Sequence, residues 1–132
     1  MNSRCAVVTV ALIGVLYATT SMACSWEGLT QKNSTRLLPG LISDSDVIVR
    51  GRVVRVHVDE SRSNTATIEV IQSFKGGAKR LNVEGSLSFC GYSFTKGEDR
   101  IFFLKDGQAW VGGVYRPSPW LIRDLEKTLD VR

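Results

Sequence analysis

Histidine is almost missing from this chain. His57 is the single example, set among valines and arginines in a predicted strand where a solvent-facing side chain is expected, so no histidine pair exists to hold a catalytic metal. Cysteine is scarce as well, three in 132 residues, and no CxxC pair offers a zinc site. A glycine-rich phosphate loop is absent, and Gly112-Gly113 reads instead as a strand irregularity. Glu98 and Asp99 are neighbouring carboxylates, but in a strand they face opposite ways and in a turn they are solvated. These absences leave no catalytic constellation, so the expectation is a protein that is not an enzyme and holds no cofactor or metal of its own. Long blocks of like charge are missing too. Lys75, Lys79 and Arg80 form the one local basic cluster.

No apolar run is long enough to cross a bilayer. The longest, residues 6–18, falls short of the roughly 20 residues a spanning helix needs. It follows Arg4 and precedes a small, polar stretch in which Ser21 and Ala23 stand where signal peptidase wants small residues. Residues 1–23 therefore read as a signal peptide cut between Ala23 and Cys24. A lipoprotein cysteine would call for a large aliphatic residue where Ser21 stands. The expected product is secreted or periplasmic, without membrane attachment after cleavage, and spans residues 24–132. That length suits one domain with a modest core.

Seventeen basic residues oppose thirteen acidic ones. Only Arg4 of these precedes Cys24, so the processed chain stays mildly basic. It keeps two cysteines, Cys24 and Cys90, which in an oxidising compartment make one bridge worth about 4 kcal/mol by chain entropy. Two buried thiols are the alternative. A single bridge cannot serve as a scaffold, so an apolar core must do most of the folding.

Residues 46–59 are rich in β-branched side chains whose parity changes partway. Val47, Val49, Gly51 and Val53 share one face, while Val54, Val56 and Val58 share the other. A regular strand cannot change sides, so a bulge or coil near residues 51–54 is expected, letting one strand serve two sides of a small barrel. A second strand runs over 65–74 with Ala66, Ile68, Val70 and Phe74 inward. Lys75-Gly76-Gly77 supplies a turn. Leu81 and Val83 mark a third strand, residues 86–94 are extended, and residues 101–104 are an all-apolar fourth strand. Asp106-Gly107 is a hairpin signal, answered by a fifth strand over 109–114. Ser118 and Pro119 then open a helix in which Leu121, Ile122, Leu125 and Leu129 recur at helical spacing. The fold class is mainly β: a five-stranded Greek-key barrel of the oligonucleotide/oligosaccharide-binding (OB) type with a C-terminal helix.

Cys24-Ser25-Trp26, the run from Ser45 to Gly51, Ile68-Glu69-Val70 with Phe74-Lys75-Gly76, and Phe89-Cys90-Gly91-Tyr92 resemble the N-terminal, netrin-like domain of the tissue inhibitors of metalloproteinases. Asp106-Gly107 and Pro119-Trp120-Leu121 extend the resemblance over nearly all of residues 24–132. It implies that Cys24 is bridged to Cys90, and that the free α-amine and the carbonyl of Cys24 chelate the zinc of a target protease. It further implies that Ser25 enters the mouth of the specificity pocket, flanked by Ser88 and Phe89. The chemistry is sensible, because a catalytic zinc keeps one replaceable water and an α-amine with a pKa of about 7.7 to 8.0 sheds its proton readily. Trp26 stands where those inhibitors carry a second bridging cysteine, and their cysteine-rich C-terminal domain has no counterpart here.

The resemblance thus implies a secreted inhibitor of zinc metalloendopeptidases, acting as a monomer, with a zinc metalloprotease as partner. The alternative is an extracytoplasmic netrin-like module that binds a protein or polysaccharide and inhibits nothing, since fold does not fix function. A nucleic-acid-binding barrel is not expected. It needs exposed stacking aromatics, whereas Phe74, Phe102 and Phe103 read as core.

Overall fold

The computed structural model describes residues 27–61, 63–86 and 90–130. It holds an α-helix α1 (Ser34–Asp44), strands β1 (Val47–Val58), β2 (Ser63–Lys75), β3 (Arg80–Ser86), β4 (Asp99–Leu104) and β5 (Val114–Tyr115), and a C-terminal helix α2 (Pro119–Leu129). The strands form one antiparallel sheet in the order β3-β2-β1-β4-β5. The mainly β class with a terminal helix is as expected. The sheet curls without closing into a continuous ladder. Its far ends are linked where Glu84 of β3 donates to the Gly107 carbonyl at 2.9 Å and accepts from Ala109 N–H at 2.8 Å, a parallel bridge to Gln108.

Why β1 tolerates a change of parity is visible in its register. Val53 pairs with Ile68 and Arg55 with Thr67, so Val54 is an extra residue. That bulge returns Val56 to the same side as Val49 and Val53, all three packing in one apolar cluster. The bulge keeps Val49, Val53 and Val56 on the barrel side, while Val54 lines the outer face and Val58 ends exposed. A further register shift lies at Gly51. A Cβ there would run into Ile68 Cγ2, so glycine lets the strands approach where the sheet coils.

The apolar run of β4 faces two cores. Phe102 and Leu104 join Val49, Val53, Ala66, Ile68 and Val83 in the barrel interior. Ile101 and Phe103 join Ile48, Phe74 and the helices, with Leu38 and Ile42 from α1 and Leu121 and Leu125 from α2. Alternation is hidden in β4 because both faces are buried.

Helix α1 is not anticipated by the sequence reading. Ser34, Leu38 and Ile42 bury one stripe at four-residue spacing, but Pro39 and Gly40 lie inside it and read as breakers. Its C-terminus is held from outside: Lys75 Nζ donates to the carbonyls of Ile42 at 2.9 Å and Ser45 at 2.6 Å. Helix α2 begins as expected, with Ser118 extended and Pro119 at its first turn. No Ser118 side-chain cap forms.

Two further expectations are corrected. Of residues 86–94, expected to be extended, Ser86 ends β3, residues 87–89 lie outside the described residues, Cys90 lies in a turn, and residues 92–94 join no strand. The fifth strand is only two residues long, because Val111–Gly113 forms a 3-10 turn. The turn follows from Trp110, whose ring lies so close to Gly112 and Gly113 that any Cβ there would collide with it.

Candidate functional site

Of the expected site residues, Cys24, Ser25, Ser88 and Phe89 lie outside the described residues, as do the expected signal peptide and Trp26. Cys90 is described. It is disulfide-bonded and exposed, and the other two cysteines of the chain, Cys5 and Cys24, are both N-terminal to the described residues.

The segment that carries Cys90 is fixed from several directions. Its carbonyl accepts Val111 N–H at 3.1 Å, and Gly91 forms an antiparallel bridge with Trp110. Behind it stands Asn64, an amide only 1% exposed. Its Nδ2 donates to the Tyr92 carbonyl and its Oδ1 accepts Phe94 N–H, both at 3.1 Å. A buried amide is costly unless satisfied, and here it stands in for the strand that residues 92–94 do not form. Gly85 of β3 lies beneath: a Cβ there would strike the Tyr92 carbonyl oxygen and the Phe94 ring.

Tyr92 closes the far side. Its ring meets Phe94 edge-on at 5.2 Å and Phe102 at 6.3 Å, and its hydroxyl donates to Glu98 Oε2 at 2.8 Å. Burial, reinforced by the bond to the Glu98 carboxylate, pushes the phenol up to about 12. Glu98 also accepts Thr95 N–H at 3.2 Å. Asp99 beside it turns to a bidentate pair with Arg50, at 3.1 and 2.8 Å. The two carboxylates thus serve separate anchors, not one acid–base pair.

Trp110 is exposed like Cys90, 37% accessible. A cleft of about 460 Å³ lies on one side of it, lined by Cys90, Gly91, Glu84, Gln108 and Ala109 among others. Trp110 also lines a second cleft of about 310 Å³, with Glu27, Leu29, Leu41 and Tyr115 among others. Glu27, the first described residue, and Cys90 thus line two clefts that share Trp110. Tyr115 ties this second rim down, donating to the Gly112 carbonyl at 2.5 Å and accepting Leu29 N–H at 3.3 Å.

Asn64, Gly85 and Trp110 are absent from the sequence-based site. Asn64 could have been found, since it continues the inward parity of Ala66 and Ile68. Gly85 and Trp110 could not, because their partners are distant in the chain. His57 lies on β1 and is exposed, and among the described residues no group of three or more His, Cys, Asp or Glu side chains could hold a metal ion. No helix of the described residues is long and apolar enough to cross a membrane. Neither the models of known protein families nor the curated proteins compared with this chain give a match.

Proposed function

We propose that this protein is a secreted inhibitor of zinc metalloendopeptidases whose working group is the backbone amine and carbonyl of Cys24. The observation that carries this reading is the position of Cys90. It is disulfide-bonded, its segment is fixed by Val111, Trp110 and Asn64, and it shares the Trp110 rim with Glu27. Cys24 is three residues before Glu27, a span of at most about 10 Å, and a Cys24–Cys90 bridge is compatible with Glu27 and Cys90 lining clefts that share Trp110.

In that arrangement the sulfur is an anchor and the amine is the ligand. Displacing the zinc-bound water with the amine and carbonyl of one residue closes a five-membered chelate ring. Tethering that residue to a rigid segment lowers the ordering cost of binding. Ser25 then points into the specificity pocket, with Ser88 and Phe89 beside it.

The test is chemical. N-terminal sequencing of the exported protein should read Cys24 first, and that form should inhibit at least one zinc endopeptidase in a panel. One alanine added before Cys24 should abolish inhibition. Equal inhibition by both forms would rule out chelation by the terminal amine.

A further inference from the structure

Away from the Cys90 rim, the outer face of β1, β2 and β3 gathers arginines that the sequence leaves apart. Val53, Ala66, Ile68 and Val83 point into the barrel and are buried, so the alternate positions face out. Across the three strands Arg55 aligns with Thr67 and Asn82, and Arg52 aligns with Glu69 and Arg80. Arg55, Arg80, Thr67, Asn82 and Val54 line a shallow cleft of about 400 Å³. The two arginines stand on the strands either side of β2, two residues out of register and roughly 12 Å apart at the backbone.

None of Arg52, Arg55, Lys79 and Arg80 has a side-chain hydrogen bond or ion pair among the described residues, in contrast to Arg36, Arg50 and Arg100. Thr67 Oγ1 donates to Asn82 Oδ1 at 3.2 Å. That bond fixes the amide so that its N–H₂ end remains available as a donor. The acids on the same face are Glu69, between Arg52 and Arg80, and Glu84, beyond Asn82 on β3; His57 lies past Arg55 on β1. The cleft itself is lined by two cations and no acid.

We infer that this face binds a sulfated polysaccharide, with one sulfate held between Arg55 and Arg80 over Asn82, and with Arg52 continuing the track. Guanidinium groups match the oxygens of tetrahedral anions in paired hydrogen bonds. The choice over nucleic acid rests on what the face lacks. Single strands bind by stacking bases on aromatic rings, and among the outward positions of β1, β2 and β3 named here there is no Phe, Tyr or Trp. The inference is independent of protease inhibition, because it uses neither Cys24 nor Cys90.

The untagged protein is titrated with heparin, with unsulfated hyaluronan, and with a single-stranded oligonucleotide of matched charge. Heparin should bind measurably at 0.1 M salt. The R55Q/R80Q variant should bind it about tenfold more weakly, its log affinity against log salt flatter by about two, one for each lost contact. Glu69→Gln should tighten binding by about twofold to threefold, a gain that a folding defect cannot imitate. The oligonucleotide and hyaluronan should bind at least about tenfold more weakly than heparin. Any of these would overturn the inference: no heparin binding, binding unchanged in R55Q/R80Q, no gain in Glu69→Gln, hyaluronan as tight as heparin, or an oligonucleotide as tight as heparin, which would mark the face as a nucleic-acid site instead.

Discussion

Asn64 and Tyr92 carry the Cys90 segment, and each can be tested alone. In Asn64→Ala the Tyr92 carbonyl and Phe94 N–H lose their partners inside the protein, and each orphaned group costs about 1 to 3 kcal/mol. Urea unfolding should therefore show a loss of about 2 to 6 kcal/mol; a loss under about 1 kcal/mol would mean that water or another group takes over. Tyr92 gives a pH signature. An unfolded phenol releases its proton near 10 and the folded one holds it to about 12. The phenol's stabilisation is thus whole below pH 10 and fades as pH rises toward 12. Between those values wild-type stability should fall more steeply than that of Tyr92→Phe, compared by denaturant midpoints at pH 9, 10, 11 and 12. Parallel curves would show that the fold does not hold the phenol above its ordinary value. At this scale the sequence shows the motif but not its support. Cys-Gly-Tyr is plain on inspection, whereas Gly85 looks like a strand interruption until Tyr92 and Phe94 are seen against it.

Among the elements, helix α1 depends on a residue outside itself. Lys75 ends β2 and places its ammonium on the carbonyls of Ile42 and Ser45, where a helix leaves acceptors unpaired and its dipole favours a cation. Ser45 assists, donating from Oγ to the Leu41 carbonyl at 2.7 Å. Lys75→Met keeps the aliphatic stem and removes the charge, and should cost about 1 to 2 kcal/mol. Hydrogen exchange should localise the effect, with amides near the end of α1 exchanging faster and those of β1 and β4 little changed. Uniform acceleration would instead mean that Lys75 supports the whole sheet. Elements with a matching local signal were legible: the parity break of β1 predicted its bulge, and Ser118-Pro119 with Leu121 and Leu125 predicted α2. Helix α1 was not, because Pro39 and Gly40 contradict a helix locally and burial against Ile48 and Phe103 overrides them. The fifth strand was overestimated for the converse reason, since a tryptophan ring decides the path of residues 110–113.

For the whole molecule, the two cores and the Glu84 link determine what the disulfide is needed for. Neither the interior cluster around Phe102 nor the helix-side cluster around Phe103 includes the exposed Cys90. The fold therefore has apolar cohesion that does not pass through sulfur. If Cys90 is bridged to Cys24, cutting that bridge removes about 4 kcal/mol of loop-closure stabilisation, a large share of the roughly 5 to 15 kcal/mol of a typical domain. Cys90→Ser should then remain folded with a lowered unfolding midpoint and a native far-UV spectrum, while losing all protease inhibition because Cys24 is no longer held. Peptide mapping without reductant should recover a Cys24–Cys90 linked pair from the wild type. Heparin affinity in the same variant should be unchanged, as the arginine face lies on β1 and β3 and needs only the sheet. The outcomes separate the proposals: retained inhibition refutes the tethered-amine mechanism, whereas lost heparin binding in a folded variant shows that the arginine face depends on the Cys90 segment after all.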